Sequence, residues 1–143
     1  MKIKKLIVLI LISLSGLFES CEQNAANNGI PYVFVDVYVY TTDPAFIDLS
    51  VIGGWTYITG GSRGIIIYRS GQAEFMAFDR HTPFSPNESC AVAYVEDANL
   101  VAVDPCSETK YSLFDGTVVE GQGSLPLQRY QTTFDNNVLH IFN

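Results

Sequence analysis

Basic residues are scarce in this 143-residue chain: Lys and Arg number eight against fifteen Asp and Glu, for a formal net charge of −7. Three of the eight, Lys2, Lys4 and Lys5, crowd into the first five residues, and no Lys/Arg cluster follows them. Contacts to phosphate need positive charge, so nucleic acid is excluded as a partner. The acidic residues are spread out and form no tail, which reads as ordinary surface solvation. The chain also lacks a G-x-S-x-G nucleophile motif. Its glycine-rich stretch GGSRG, residues 60–64, has no Lys-Ser/Thr ending and opens no helix. That disfavours a phosphate cradle and points to hairpin turns with positive φ. Beyond residue 30 no window carries the 3.6-residue apolar period of a helix.

The start of the chain is of another kind. A basic n-region, MKIKK, precedes the apolar run LIVLILISLSGLF at residues 6–18, which is too short to span a bilayer comfortably. This is the form of an export signal, expected over residues 1–20. The segment FES-C resembles a bacterial lipobox, which implies that Cys21 is acylated and becomes the new N-terminus; Glu19 departs from the usual residue two places before the cysteine. The polar, Asn-rich residues 21–30 read as a tether. The expected location is a membrane-anchored lipoprotein of a bacterial cell envelope. Cys90 and Cys106 are then an even pair outside the cytoplasm, and so disulfide candidates.

Residues 31–143 form the expected single domain, and the pattern there is β throughout. YVFVDVYVY, residues 32–40, reads as a nine-residue strand with Asp36 as a buried interruption. FIDLSVI reads as a short strand or one helical turn. Strands punctuated by Gly53-Gly54, Gly60-Gly61 and Gly71 have hairpin spacing. AVAYV, NLVAVD, KYSLFDG, GTVVEG and VLHIFN supply further short strands, and His140 in the last is expected to serve surface or edge packing. The class is all-β, built from short antiparallel strands.

Two loops carry a resemblance to a known family. AFDRHTPFSPNESC (residues 77–90) and DPCSETKYSLFDG (104–116) each leave a strand, and VVEGQGSLPLQRY (118–130) follows them. The trio resembles the Rieske iron–sulfur domain, with its Cys-x-His loop, its Cys-Pro-x-His-Gly loop before an aromatic strand, and its later Pro-Leu…Tyr. The resemblance implies stacked antiparallel sheets with two cluster-binding loops at one end. It also places Thr82 and Phe84, then Asp104 and Ser107, where that family has two cysteines and two histidines. Glu108 stands at the glycine after the second histidine, and Gln122 at the covering-loop proline. A Rieske cluster needs two thiolates on one iron and two imidazoles on the other. The resemblance therefore implies a fold shaped for a cluster whose ligands are gone, with no metal or cofactor expected and Phe84 packing inward. A mononuclear site from His81, Asp104, Cys90 and Cys106 is the alternative, unless the two thiols pair.

In one Rieske subgroup a disulfide ties the two loops together, and Cys106, directly after Pro105, stands at one of its positions. Cys90 lies three residues later than the family spacing. The resemblance thus implies a Cys90–Cys106 bond; separate buried thiols remain the other reading. The expected role is a non-enzymatic binding or structural module, held to the membrane by its lipid and open to an envelope protein partner. The competing expectations are a [2Fe–2S] electron-transfer protein and an accessory subunit of an envelope redox complex.

Overall fold

The computed structural model describes residues 29–96 and 100–143. The leader, Cys21 and all of the tether before Gly29 lie outside these residues. Among the described residues there are ten strands and one 3-10 segment, and no helix is long and apolar enough to cross a membrane. The strands are β1 (Asp36–Tyr40), β2 (Trp55–Ile58), β3 (Ile65–Arg69), β4 (Phe75–Asp79) and β5 (Tyr94–Glu96). They continue with β6 (Val101–Val103), β7 (Lys110–Ser112), β8 (Val118–Glu120), β9 (Arg129–Asp135) and β10 (Val138–Phe142). A six-stranded sheet has the order β1-β10-β9-β4-β3-β2 and a four-stranded sheet the order β5-β6-β7-β8; every pairing is antiparallel. The all-β expectation of stacked antiparallel sheets holds.

Strand β3 shows why two layers form. Side chains alternate across a strand, and IIIY has no polar face to offer water. Ile65 and Ile67 enter one core with Val39, Leu49, Phe75, Ala77, Leu139 and Ile141. Ile66 and Tyr68 enter a second, with Phe78, Ala102, Tyr111, Leu113 and Leu127. A strand buried on both faces needs cover on both: the curl of the large sheet supplies one side and the small sheet the other. The loops that interrupt the small sheet are consequently held against β4.

Three expectations need correction. The first strand spans five residues, not nine, because its partner β10 ends at Phe142 opposite Asp36. Residues 32–35 are held by Asn143 instead, whose Oδ1 accepts from Val35 N at 3.1 Å and whose Nδ2 donates to Val33 O at 2.8 Å. Asp36 is exposed and accepts from His140 Nε2 at 2.7 Å. The longest strand, β9, was not expected: its RYQTTFD carries a polar outer face, and the two-residue turn Asn136-Asn137 that joins it to β10 has positive φ at both residues, 48° and 68°. FIDLSVI resolves toward helix, as part of the 3-10 segment Pro44–Ser50. Asp43 caps that segment, accepting from Ala45 N at 2.8 Å.

Candidate functional site: the fastened loops

Loop one, residues 80–92, leaves β4 just after a buried carboxylate. Asp79 is 1% exposed and accepts four hydrogen bonds. Ser62 N and the Tyr130 hydroxyl donate to Oδ2 at 2.6 and 2.7 Å; Arg63 N and His81 N donate to Oδ1 at 3.2 and 2.8 Å. The backbone amides of GGSRG therefore do hold an anion, but one that belongs to the chain. Gly61 must be glycine here: its φ is 59°, and a Cβ would collide with Asp79 Oδ2 and Tyr130 Oη. Burial, and then the Asp79 charge, push the Tyr130 phenol well above its usual pKa.

The same hairpin grips the rest of loop one. Arg63 Nη1 donates to Glu88 O and Ala91 O at 2.6 and 3.2 Å, and Nη2 to Pro86 O at 3.2 Å. His81, 4% exposed, has both ring nitrogens engaged. Nε2 lies 2.7 Å from Pro86 O and Nδ1 2.8 Å from Ser62 Oγ. A carbonyl can only accept, so Nε2 carries a proton, and Nδ1 of the neutral ring accepts from the Ser62 hydroxyl. This Ser–His contact was not legible in the sequence, where the two residues stand nineteen apart. It is not a catalytic triad: Asp79 bonds the His81 backbone rather than its ring.

Loop two, residues 104–109, closes on itself. Asp104 is fully buried. Its Oδ1 accepts from Cys106 N at 3.0 Å and its Oδ2 from the Ser107 hydroxyl at 2.6 Å, while its carbonyl accepts from Glu108 N at 2.8 Å. Ser107 Oγ also lies 2.8 Å from Thr109 Oγ1, which in turn accepts from Gly123 N of the third loop at 3.0 Å. Tyr111 is buried behind these groups. Burial, with the Asp104 charge adding to it, pushes its phenol up to about 12.

Cys90 and Cys106 are disulfide-bonded, with a Cα–Cα distance of 5.4 Å, so the two loops are covalently joined. The pairing implied by the resemblance is present. The mononuclear alternative falls, because both sulfurs are in the bond and both His81 nitrogens are bonded elsewhere. Among the described residues, no group of three or more His, Cys, Asp or Glu is placed to hold a metal ion.

The four residues that the resemblance places at ligand positions are arranged as follows. Thr82 is fully buried, with its hydroxyl unpaired and its backbone N donating to Ala91 O at 3.2 Å. Phe84 is only half-buried, short of the inward packing expected of it, because the third loop offers it one side and solvent the other. It borders a recess of about 120 Å³ with Gln122, Gly123, Ser124 and Leu125. Asp104 and Ser107 are bonded to one another. Ser107 also borders an open hollow of about 450 Å³ with Glu108, Lys110, Glu120 and Gln122, in which Lys110 Nζ sits 3.2 Å from Glu120. Thr82, Phe84, Asp104 and Ser107 bring one phenyl, two hydroxyls and one carboxylate, and no thiolate or imidazole. They do not fit a Rieske cluster.

Glu108 carries a testable strain. Its φ is 56°, in the left-handed region where a side chain costs about 1–2 kcal/mol and glycine little. Glu108→Gly should raise stability by about 0.5–1 kcal/mol after the entropy glycine adds to the unfolded chain. A thermal melt should show a midpoint a few degrees higher; an unchanged or lower midpoint would contradict the strain.

No protein-family model matches the chain, and no curated protein matches it by sequence. Solved structures do resemble it. The ferredoxin of carbazole 1,9a-dioxygenase from Nocardioides aromaticivorans is 16% identical, with a TM-score of 0.46 over 64% of this chain and 86% of its own. NirD of E. coli is 13% identical, with a TM-score of 0.46 over 76% and 98%. A putative nitrite reductase NADPH (small subunit) oxidoreductase protein is 11% identical, with a TM-score of 0.45 over 76% and 99%.

Proposed function

We propose that this chain is an exported, lipid-anchored envelope protein whose Rieske-like domain has lost the ligands of its [2Fe–2S] cluster and acts as a non-catalytic binding or structural module. The observation that supports this best is how its two loops are held. In a cluster protein, iron bridges them through two thiolates and two imidazoles. Here Thr82, Phe84, Asp104 and Ser107 offer no thiolate or imidazole, and the bridge that remains is the Cys90–Cys106 disulfide, a bond that one Rieske subgroup has as well. Arg63 and His81 fasten the backbone of the first loop, and Asp104 closes the second. Every polar side chain that lines the former ligand positions, Thr82 excepted, already has a protein partner. Neither the recess beside Phe84 nor the hollow beside Ser107 is lined by Ser62 or His81, which supports the non-catalytic reading. The partner is an envelope protein that reads the loop surface.

The test is iron and acid-labile sulfide analysis with a visible spectrum, on protein purified without oxygen. The expected result is a colourless protein with neither element in stoichiometric amount. One cluster per chain would return the protein to electron transfer. Pull-down from detergent-solubilised membranes then identifies the partner.

A further inference from the structure

The outward face of the first strand has no role in the fold or in the loops. From residue 32 to residue 40 the chain alternates: Val35, Val37 and Val39 turn inward, while Tyr32, Phe34, Tyr38 and Tyr40 turn to solvent. Those four aromatics are 79, 71, 58 and 59% exposed. β1 is an edge strand, and its outward face carries one charge, Asp36, whose carboxylate accepts from His140 Nε2 at 2.7 Å. The His140 ring stacks between Tyr38, 4.2 Å away across the strand pair, and Phe142, 4.6 Å away along its own strand. Tyr38 is therefore held in a three-ring stack with His140 and Phe142. A contiguous exposed apolar patch of this kind marks an interaction surface.

We infer that this aromatic ladder is a membrane-resting surface, lying in the interface of a phospholipid bilayer. The inference rests on the lipid-anchored reading of Cys21. Roughly ten residues separate that cysteine from Tyr32, and fully extended they reach at most about 40 Å. The described chain starts at Gly29 against Pro86 of loop one, and the ladder begins three residues later, so it lies close to the point where this tether enters the domain. Tyrosine suits that position because its ring is apolar and its hydroxyl stays hydrated at headgroup level. Charge attraction has no part in it: the chain is acidic, and no Lys or Arg stands in β1 or β10. The contact is apolar.

The experiment uses the full lipidated protein in vesicles of phosphatidylcholine, with hydroxyl-radical footprinting read by mass spectrometry. Tyr94 and Phe114, 48 and 54% exposed on the other sheet and its loops, serve as internal references. Modification of Tyr32, Phe34, Tyr38 and Tyr40 relative to these two should fall to about a third or less of the ratio expected from exposure, and should stay there in high salt because an apolar contact is not screened. Ladder residues that remain as reactive as Tyr94 in protein that floats with the vesicles overturn the inference and leave anchoring intact. Protection that disappears when vesicles carry single copies shows a second copy on the ladder, and overturns it too. Protein that does not float at all removes the anchored reading, and the inference with it.

Discussion

Asp79→Ala should cost the domain about 4 kcal/mol or more of stability. The carboxylate accepts from Ser62 N, Arg63 N, His81 N and the Tyr130 hydroxyl, and it is 1% exposed. Alanine leaves these donors without an acceptor in a place that water reaches poorly, and each buried orphan costs about 1–3 kcal/mol. Domains of this size hold only about 5–15 kcal/mol in total, so Asp79→Ala stands near the edge of folding. Asp79→Asn keeps the volume but puts an NH₂ where two donors already point, and should lose about 2 kcal/mol or more. Urea unfolding followed by the fluorescence of Trp55 measures both. An asparagine variant as stable as the parent would show that Asp79 is held by its packing rather than by its acceptors.

Opening the Cys90–Cys106 bond should remove about 3 kcal/mol, the value the chain-entropy model assigns to a closed loop of this length. The two cysteines are separated by 16 residues in sequence, and their bond joins the two loops covalently. The loss should show as a lower urea midpoint in reductant, and equally in a Cys90→Ala, Cys106→Ala double variant to which reductant makes no further difference. Cys90 is exposed, so mild reductant should reach it in the folded protein. Intact mass after alkylation decides the pairing: two freely alkylated thiols in protein isolated without reductant would remove the bond from the account of the loops.

Most strands were legible because they depend on local pattern. IIIY and the alternating valines from Val35 to Val39 read as strand, though the strand itself starts only at Asp36, and glycines mark the hairpin turns. Strand β9 escaped because Gln131, Thr132 and Thr133 look like loop residues until a partner is known; burial of Tyr130 and pairing with both β4 and β10 make them a strand. Asp36 was misread for a related reason. The parity of an alternating strand is readable, but which parity faces water is set by the rest of the sheet. At the site, the disulfide was legible from the even cysteine pair and from the resemblance, and the grip of Arg63 on loop one not at all. That grip joins a hairpin turn to carbonyls more than twenty residues away, and carbonyls carry no sequence signal. The anion held by GGSRG is not legible either, because the carboxylate comes from a strand that is distant in sequence. A glycine-rich turn binds whatever carboxylate the fold delivers to it, and here β4 delivers Asp79.

The pairing of β1 with β10 sets Asp36 against Phe142 and Tyr40 against Val138. Among the described residues, the first strand of the domain thus pairs only with the last described strand. Such distant pairing makes folding slow, since a long loop must close before any contact rewards it. The core face of β1, with Val39, and its aromatic outer face both stay uncovered during that delay. A ribosome or a translocation channel that releases the chain from its N-terminus presents β1 first and completes it last. For that interval an apolar edge strand is open to other copies of itself, and holding it apart is a task for the machinery that handles the chain before it folds.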